Sequence, residues 1–293
     1  MAWSTKLDSI LIIGCGDIGR RVAALYRQRD CTVSALTRSD ATAETLAEQG
    51  LLPWVGDLDR PDSLPVLPCK DRLVFYFAPP PAQGEDDARL RAFLNHIVGK
   101  ELPRKLVYIS TSGVYGNCRG AWVTEDTPPR PNTARARRRL AAETLLKDWE
   151  ERSGVPVVIL RVGGIYGPGR LPVERLRRGE PVLREQDCGY TNRIHADDLA
   201  AACIAAAERG QGIYNVSDGH PTTMSDYFNK VADRCGLPRP PQISFTEAQS
   251  RLSAEMMSYL QESRRLDNRK MLEELGVSLR YPGLSEGLAD TPV

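Results

Sequence analysis

The stretch SILIIGCGDIGRR, residues 9–21, decides the fold. An apolar run from Ile10 to Ile13 is typical of a buried strand, and apolar residues at helical spacing follow it. Between them, three glycines stand in GxGxxG spacing. In this context Gly14 makes the tight turn, Gly16 lets the backbone approach a pyrophosphate, and Gly19 allows close helix–sheet packing. The free N–H groups of the following helix favour a phosphate. The alternative is a turn that needs glycines only for its own geometry.

The segments around this motif alternate between strand and helix patterns. The predicted strands are Ser9–Gly14, Thr32–Leu36, Arg72–Phe77, Lys105–Ser110 and Val155–Val162. The predicted helices are Ile18–Arg29, Ala41–Gln49, Asp86–Val98 and Ala134–Arg152. This βαβ alternation predicts an α/β fold with a doubly wound, parallel, Rossmann-like sheet. We assign residues 1–165 to a dinucleotide-binding domain.

The pattern changes after residue 165, where prolines interrupt an Arg-rich segment. Further helices are predicted at Ala196–Arg209, Met224–Cys235, Glu247–Glu262 and Asn268–Leu275. We interpret residues 166–293 as a smaller, mostly helical substrate lobe that is interleaved with the first domain and depends on it.

The composition excludes several classes of protein. The 293 residues carry 39 Lys+Arg and 38 Asp+Glu, a net charge of +1, which argues against a dedicated nucleic-acid binder. No segment approaches the roughly 20 apolar residues of a membrane span. Seven scattered cysteines without a CxxC pair, and three separated histidines, give no sign of a metal site or a disulfide framework. We therefore expect free thiols in a cytoplasmic protein that does not engage membranes.

The end of the second predicted strand bears on the choice of dinucleotide. An NAD site normally has an acidic residue there to accept the ribose hydroxyls, whereas this chain reads CTVSALTRSD and places Arg38 beside hydroxyl residues. A guanidinium in that position suits a 2′-phosphate, so NADP is favoured over NAD. The alternative is a solvated Arg38, with Asp40 serving as a displaced acid.

Several strings taken together resemble the extended short-chain dehydrogenase/reductase family, the NAD(P)-dependent epimerase/dehydratase group. In order, they are GCGDIG, GDLD, VFYFAPP, YISTSGVYG, LRVGGIYGPG, RIHADDLA and IYNVSDG. The resemblance implies that Asp17 and Ile18 of the glycine turn help to bind the cofactor. It also implies that Asp57 lies near the adenine ring and Ala78 near the cofactor ribose. Thr111 matches the catalytic hydroxyl that bonds the substrate oxygen.

The same resemblance fails at the catalytic YxxxK motif. Aligning RLAAE with the family's helix places Arg139 at the Lys and Arg135 at the Tyr, and no other register restores the pair. Arg139 can still hold a ribose, so we keep it as a cofactor-binding and catalytic candidate. Arg135 cannot exchange a proton near neutral pH. Tyr115, close to Thr111, is the catalytic candidate we carry forward. The other groups that could replace the acid are Tyr166, Tyr190 and His195.

Two functions follow from this pattern. The first is an NAD(P)-binding oxidoreductase or epimerase/dehydratase-like enzyme acting on a small polar substrate, atypical because Arg replaces both residues of YxxxK. The second is a redox-inactive NAD(P)-binding sensor or assembly protein. Gly164 replaces an Asn that binds substrate in many relatives, which puts their nucleotide-sugar substrates in doubt. The expected partners are a small-molecule substrate and a second copy of the chain in a homodimer.

Overall fold

The computed structural model of the chain describes residues 9–97 and 101–292. A seven-stranded sheet has the strand order β12-β7-β5-β4-β1-β2-β3. Its strands are β1 (Ser9–Ile13), β2 (Thr32–Thr37), β3 (Leu52–Val55), β4 (Leu73–Tyr76), β5 (Lys105–Thr111), β7 (Val157–Val162) and β12 (Gly212–Val216). Helices flank this parallel sheet, so the predicted Rossmann-like α/β class is confirmed.

The strand order fixes where a ligand can bind. From β1 the chain adds β2 and β3 on one side, then crosses over to add β4 and β5 on the other. In open α/β sheets the crevice at such a reversal, outside the carboxyl ends of the strands, is the usual ligand site. The glycine turn that follows β1 and the segment that follows β4 therefore meet at the switch point.

The five strands predicted from residues 9–162 are present with small shifts at their ends. Strand β3, with the sequence LPWV, was not predicted. It contains Pro53, which cannot donate a hydrogen bond to a neighbouring strand, and it lies at the edge of the sheet, where proline is tolerated.

The helices agree with the sequence pattern in most of the chain. Their bounds are α1 (Asp17–Arg27), α2 (Asp40–Glu48), α3 (Ala88–His96), α4 (Ala134–Ser153), α5 (Val173–Arg177), α6 (Ala196–Arg209), α7 (Met224–Cys235), α8 (Phe245–Arg251), α9 (Ala254–Leu260), α10 (Arg269–Glu274) and α11 (Leu284–Ala289). Val98, the last residue of the helix predicted from Asp86, lies outside the described residues.

One predicted helix, Glu247–Glu262, is wrong. The chain forms α8 and α9 instead, separated at Leu252 and Ser253. The Ser253 side chain accepts a hydrogen bond from the Met256 amide at 3.2 Å and so starts a new helix. Apolar spacing runs on across this break, which explains why the pattern alone joined the two helices.

The chain divides into two compact units, each made of three segments. The first unit contains residues 1–110, 137–160 and 200–213, and the second contains residues 111–136, 161–199 and 214–293. The second unit includes four two-stranded pairings. They join β10 (Tyr190–Thr191) to β13 (Thr222–Thr223), β11 (Arg193–His195) to β8 (Gly164–Tyr166), β14 (Gln242–Ile243) to β9 (Val182–Leu183), and β15 (Arg265–Leu266) to β6 (Trp122–Val123). The boundary after residue 165 stays a prediction. In the described part of the chain, no helix is both long and apolar enough to span a membrane.

A buried carboxyl group stands out in the second unit. Asp218 is only 4% exposed, and its Oδ1 accepts a hydrogen bond from the His220 amide at 3.0 Å. Its Oδ2 is buried and has no hydrogen-bond partner among the described residues. Burial raises the pKa of Asp218 to about 6.

We expect Asp218→Asn to stabilise the protein at pH 7. A pKa that is higher in the folded state than the unfolded value near 3.8 means that stability falls as pH rises from about 4 through 6. A pKa raised from 3.8 to about 6 lowers the free energy of unfolding at neutral pH by at most about 3 kcal/mol, which the substitution should recover. Urea unfolding at pH 7 and pH 4 measures this. The gain should be present at pH 7 and nearly absent at pH 4.

The control for this substitution is Asp233→Asn. Asp233 is exposed, and a hydrogen bond from Arg239 lowers its pKa, so its neutral variant should give no gain at pH 7. Equal stability of Asp218→Asn and the native chain at pH 7 would refute the burial argument.

Candidate functional site

The glycine turn between β1 and α1 is built as the motif requires. Gly14 has a φ of +90°, and a Cβ added there would lie 2.5 Å from the Ala78 nitrogen. Gly16 has an ordinary φ of −78°, and a Cβ added there would meet nothing within 4 Å. At Gly19 the added atom would lie 3.2 Å from an Ile12 methyl group, so the missing side chain lets α1 pack closely on β1. The three glycines are therefore needed for conformation, open space and packing respectively.

A cavity of about 650 Å³ opens beside this turn in the first unit. It is lined by Ile13, Gly14, Cys15, Gly16, Arg20, Leu36, Thr37, Arg38, Ser39, Thr42, Gly56, Asp57, Leu58, Phe77, Ala78, Pro79 and Arg89. Five of the predicted cofactor residues thus line the same cavity: Gly14, Gly16, Arg38, Asp57 and Ala78. The other four predicted cofactor residues, Asp17, Ile18, Gly19 and Arg139, do not line it.

Arg38 and Asp40, the two residues that bear on the choice between NADP and NAD, differ in their position relative to the cavity. Arg38 lines the cavity, whereas Asp40, the first residue of α2, does not. Ser39 caps that helix, and its hydroxyl accepts a hydrogen bond from the Thr42 amide at 3.4 Å. The cavity is therefore lined by a guanidinium, by the hydroxyl residues Thr37, Ser39 and Thr42, and by the N-terminal end of a helix where an NAD site would have a carboxylate.

The loop after β3 holds Asp57 in place. Its Oδ1 accepts the Asp59 amide hydrogen at 3.0 Å, and its Oδ2 lies 3.4 Å from the Arg60 guanidinium. The Ser63 hydroxyl also accepts the Asp57 amide hydrogen at 2.9 Å. Asp57 and the next residue, Leu58, both line the cavity and could flank a planar base, as the resemblance implies.

Sequence reasoning missed Arg89, which completes one wall. This residue of α3 makes two hydrogen bonds to the Asp59 carboxylate, at 2.7 and 2.6 Å, and a third to the Pro79 carbonyl at 3.0 Å. The Arg89 bonds hold the pKa of Asp59 below its usual value. Arg89 therefore ties two cavity-lining loops together. A pair separated by 30 residues leaves no local sequence signal.

Cys15 is also part of the cavity wall. Burial raises the pKa of its thiol to about 11, so it stays protonated at neutral pH. Its position between Gly14 and Gly16 predicts that it lines the cavity, although the motif accepts many residue types at that position.

Thr111 ends β5 and belongs to the second unit. Its hydroxyl oxygen accepts the Gly113 amide hydrogen at 3.1 Å, which caps the short 3₁₀ helix Ser112–Tyr115. The Thr111 side chain is partly exposed, and its own O–H remains a donor. It can therefore be capped and still bond a substrate oxygen.

Tyr115 is held in a buried network of the second unit. It is 1% exposed, its hydroxyl donates to Asn215 Oδ1 at 2.7 Å, and Arg161 lies 4.8 Å from its ring centroid. Asn215 in turn donates to the carbonyls of Val123 and Asp267. This placement supports a packing role, and a catalytic role for Tyr115 stays a prediction.

We expect Tyr115→Phe to destabilise the protein by about 1–2 kcal/mol, because it leaves the buried Asn215 Oδ1 without its donor. Urea unfolding measures the loss. Tyr190→Phe is the control, since Tyr190 is 42% exposed and should change stability little. An unchanged stability of Tyr115→Phe would contradict the network, and a selective loss of turnover would restore the catalytic hypothesis.

The two arginines at the YxxxK positions are both engaged. In the first unit, Arg139 Nη1 donates to the Tyr108 hydroxyl at 3.0 Å and to the Ile109 carbonyl at 2.9 Å. In the second unit, Arg135 donates to Ser258 at 2.7 Å and stacks on Tyr259, 3.6 Å from the ring centroid. Both side chains are held in place by these contacts, and neither can supply a proton.

Two of the other candidate acids, Tyr166 and His195, are packed inside the second unit. Tyr166 donates to the Gly283 carbonyl at 3.1 Å, and burial raises its pKa. His195 is buried between the rings of Tyr166 and Tyr281, and its Nδ1 accepts the Asp197 amide hydrogen at 3.2 Å. Within residues 9–97 and 101–292, no group of three or more metal-ligating side chains comes together.

Solved structures share this fold over nearly the full length. A functionally unknown conserved protein from Silicibacter pomeroyi superposes with a TM-score of 0.81 at 29% identity, covering 96% of this chain and 97% of that one. MoeE5, solved in complex with UDP-glucose and NAD, superposes with a TM-score of 0.75 at 26% identity, covering 97% of each chain.

Curated proteins are also similar to this chain in sequence, one over nearly its full length and another over part of it. The 3-diazoavenalumate denitrifying reductase of a Streptomyces species is 27% identical over 305 residues, which covers 95% of this chain and 98% of that enzyme. The match to the uncharacterized protein y4nG of Sinorhizobium fredii is 36% identical over 135 residues and spans about a third, 34%, of that protein.

Two family models match the chain. Residues 76–217 match the NAD dependent epimerase/dehydratase family, and residues 10–71 match the TrkA-N domain. The match over residues 76–217, together with the full-length structural match, confirms the family resemblance inferred from the sequence strings.

Proposed function

We propose that the chain is an NADP-dependent oxidoreductase that acts on a small polar substrate without a tyrosine proton donor. The observation that carries the proposal is the cavity at the switch point, where the open Gly16 backbone, Asp57, Ala78 and Arg38 face one space. A bound dinucleotide would supply the hydride or accept it. The name of the Streptomyces relative, a reductase, also supports a reductive reaction.

The chain's own residues would then bind and orient the two reactants. The Gly16 backbone and the start of α1 would receive the pyrophosphate, since Gly16 has no side chain and the N-terminal end of a helix carries partial positive charge. Asp57 would hold the adenosine end. Arg139, already fixed by Tyr108, would present its remaining N–H groups to the ribose. Thr111 would donate a hydrogen bond to the substrate oxygen.

Ordinary carbonyl reduction needs a proton for the substrate oxygen as well as a hydride, and the family's tyrosine donor is absent here. Arginine at position 135 or 139 stays charged at any accessible pH. The proposed reaction therefore takes its proton from water, or reduces a group that needs none from the protein. A tyrosine general acid would give a rate that depends on its pKa, whereas this enzyme should lack that dependence.

Stopped-flow absorbance at the nicotinamide band tests the proposal. NADPH bound to the full chain is mixed with a panel of carbonyl compounds, nucleotide sugars and cationic electrophiles, and oxidation of the cofactor is followed. We expect oxidation with at least one class. Tight NADPH binding by calorimetry with no oxidation by any class would refute the enzymatic proposal.

The second candidate function is a redox-inactive NADP-binding sensor or assembly protein. The observation that favours it is the lack of an available proton donor: Arg135, at the family's Tyr position, is bound to Ser258 and Tyr259, and the Tyr115 hydroxyl is bound to Asn215. The same stopped-flow experiment separates the two functions, because only a sensor would bind without turnover. Homodimer formation, a cytoplasmic location and the substrate lobe at residues 166–293 stay predictions.

Arg38→Ala should weaken NADPH binding roughly ten- to hundredfold and leave NADH binding unchanged, because a charge-assisted contact to the 2′-phosphate is lost. Calorimetry with both cofactors measures the change. Asp40→Ala is the neighbouring control and should affect neither, since Asp40 does not line the cavity. A preference for NADH in the native chain that persists in Arg38→Ala would refute the NADP assignment.

A further inference from the structure

We infer that Arg20 is a second phosphate-binding residue of the dinucleotide cavity and acts with Arg38 on the 2′-phosphate of NADP. The inference rests on the proposed function, because it assigns a role within the same cavity. Arg20 lies in the first part of α1, whereas Arg38 follows β2. Both residues line the same cavity in the first unit.

The surroundings of Arg20 leave its charge without a counter-ion. One helical turn away, Gly16 and Ala24 carry no charge. The acid three residues before it, Asp17, is already bonded to Arg21 at 2.9 Å. In the described part of the chain, Arg20 makes no ion pair and no side-chain hydrogen bond.

Arg38 is in the same condition. Its charge helps to lower the pKa of Asp59, but that carboxylate accepts two short hydrogen bonds from Arg89 and so is already paired. Arg38 makes no ion pair with any residue that the structure describes. By contrast, Arg21, Arg29 and Arg89 of the first unit each have a carboxylate within 4 Å.

Two unpaired cations facing one cavity repel each other, so they suit a ligand with more than one negative charge. A phosphate monoester carries about −1.5 to −2 charges at neutral pH and accepts bonds through three oxygens. Planar guanidinium groups match those oxygens well. The N-terminal end of α2, with Ser39 and Thr42 in the cavity wall, adds positive potential on the same side.

A role for Arg20 on the pyrophosphate would have a different signature. The pyrophosphate is common to NAD and NADP, so losing a contact to it would weaken both cofactors equally. A contact to the 2′-phosphate would weaken only the phosphorylated one. The choice of nucleotide therefore separates the two roles without reference to turnover.

Isothermal titration calorimetry on the full chain provides the test, with NADP⁺, NAD⁺, 2′,5′-ADP and 5′-AMP as probes. The variants are Arg20→Gln, Arg38→Gln and the double variant. Arg21→Gln is the matched control on the same helix, because Arg21 is paired with Asp17 and does not line the cavity. We expect Arg20→Gln to weaken NADP⁺ and 2′,5′-ADP roughly tenfold and to leave NAD⁺ and 5′-AMP unchanged.

Four results would overturn the inference. Equal weakening of NAD⁺ and NADP⁺ by Arg20→Gln would move the residue to the pyrophosphate. Unchanged binding of all four probes would remove it from the site. A native chain that binds NADP⁺ no more tightly than NAD⁺ would remove the 2′-phosphate site itself. A native chain that binds neither dinucleotide would overturn the proposed function as well, which distinguishes that failure from the others.

Discussion

Gly16→Val should abolish measurable NADPH binding while the protein stays folded. A valine at this position would project its methyl groups into the cavity, where the backbone must come close to the pyrophosphate. Loss of two or more charge-assisted hydrogen bonds to phosphate corresponds to a weakening of roughly a hundredfold or more. Calorimetry with NADPH gives the affinity, and urea unfolding gives the stability.

The structure explains why stability and binding should separate here. Gly16 has a φ of −78°, which every residue type can adopt, and a Cβ there would touch no other atom. Gly16→Ala is therefore the graded control: it should fold normally and bind more weakly than the native chain but more tightly than the valine variant. A Gly16→Val protein that binds NADPH normally would remove the cofactor from this cavity.

Gly14→Ala should instead destabilise the fold, by about 3 kcal/mol or more. The position has a φ of +90°, and the new Cβ would lie 2.5 Å from the Ala78 nitrogen. That nitrogen is itself hydrogen-bonded to the Ile13 carbonyl at 2.9 Å, so the Ala78 backbone cannot move away without loss. The free energy of unfolding in urea measures the effect.

Gly84→Ala separates conformational strain from overlap. Gly84 has a similar φ of +82°, but a Cβ there would meet nothing within 4 Å. It should therefore lose only about 1 kcal/mol, the part due to the left-handed backbone. If the two variants lost the same stability, contact with the Ala78 backbone would not be what restricts position 14.

The fold could be predicted because its signals are local. The run Ile10 to Ile13 and the glycines after it define β1, the turn and α1 within 13 residues. Helix spacing likewise gave α6 and α7 at their observed bounds. The edge strand β3 was not predicted, because Pro53 normally interrupts a strand. The split between α8 and α9 escaped because one capping serine, Ser253, outweighs continuous apolar spacing.

The candidate site could be predicted only where a motif carried it. Gly14, Gly16, Arg38, Asp57 and Ala78 were recognised from strings and spacing, and the structure gathers them in one cavity. Arg89 and Arg20 were not, because their roles depend on partners or walls far along the chain. The engagement of Tyr115 with Asn215 spans 100 residues and could not be inferred from the VYG string.

The division into two units, each of three segments, bears on how the protein is made. The cofactor unit needs residues 200–213, which follow 39 residues of the other unit, 161–199, along the chain. A ribosome must therefore synthesise more than two-thirds of the protein before the nucleotide-binding unit can be complete. The segments of this unit that are synthesised first therefore stay incomplete until residues 200–213 have been made. Shortened forms that end before residue 213 should consequently aggregate rather than yield a working nucleotide-binding fragment.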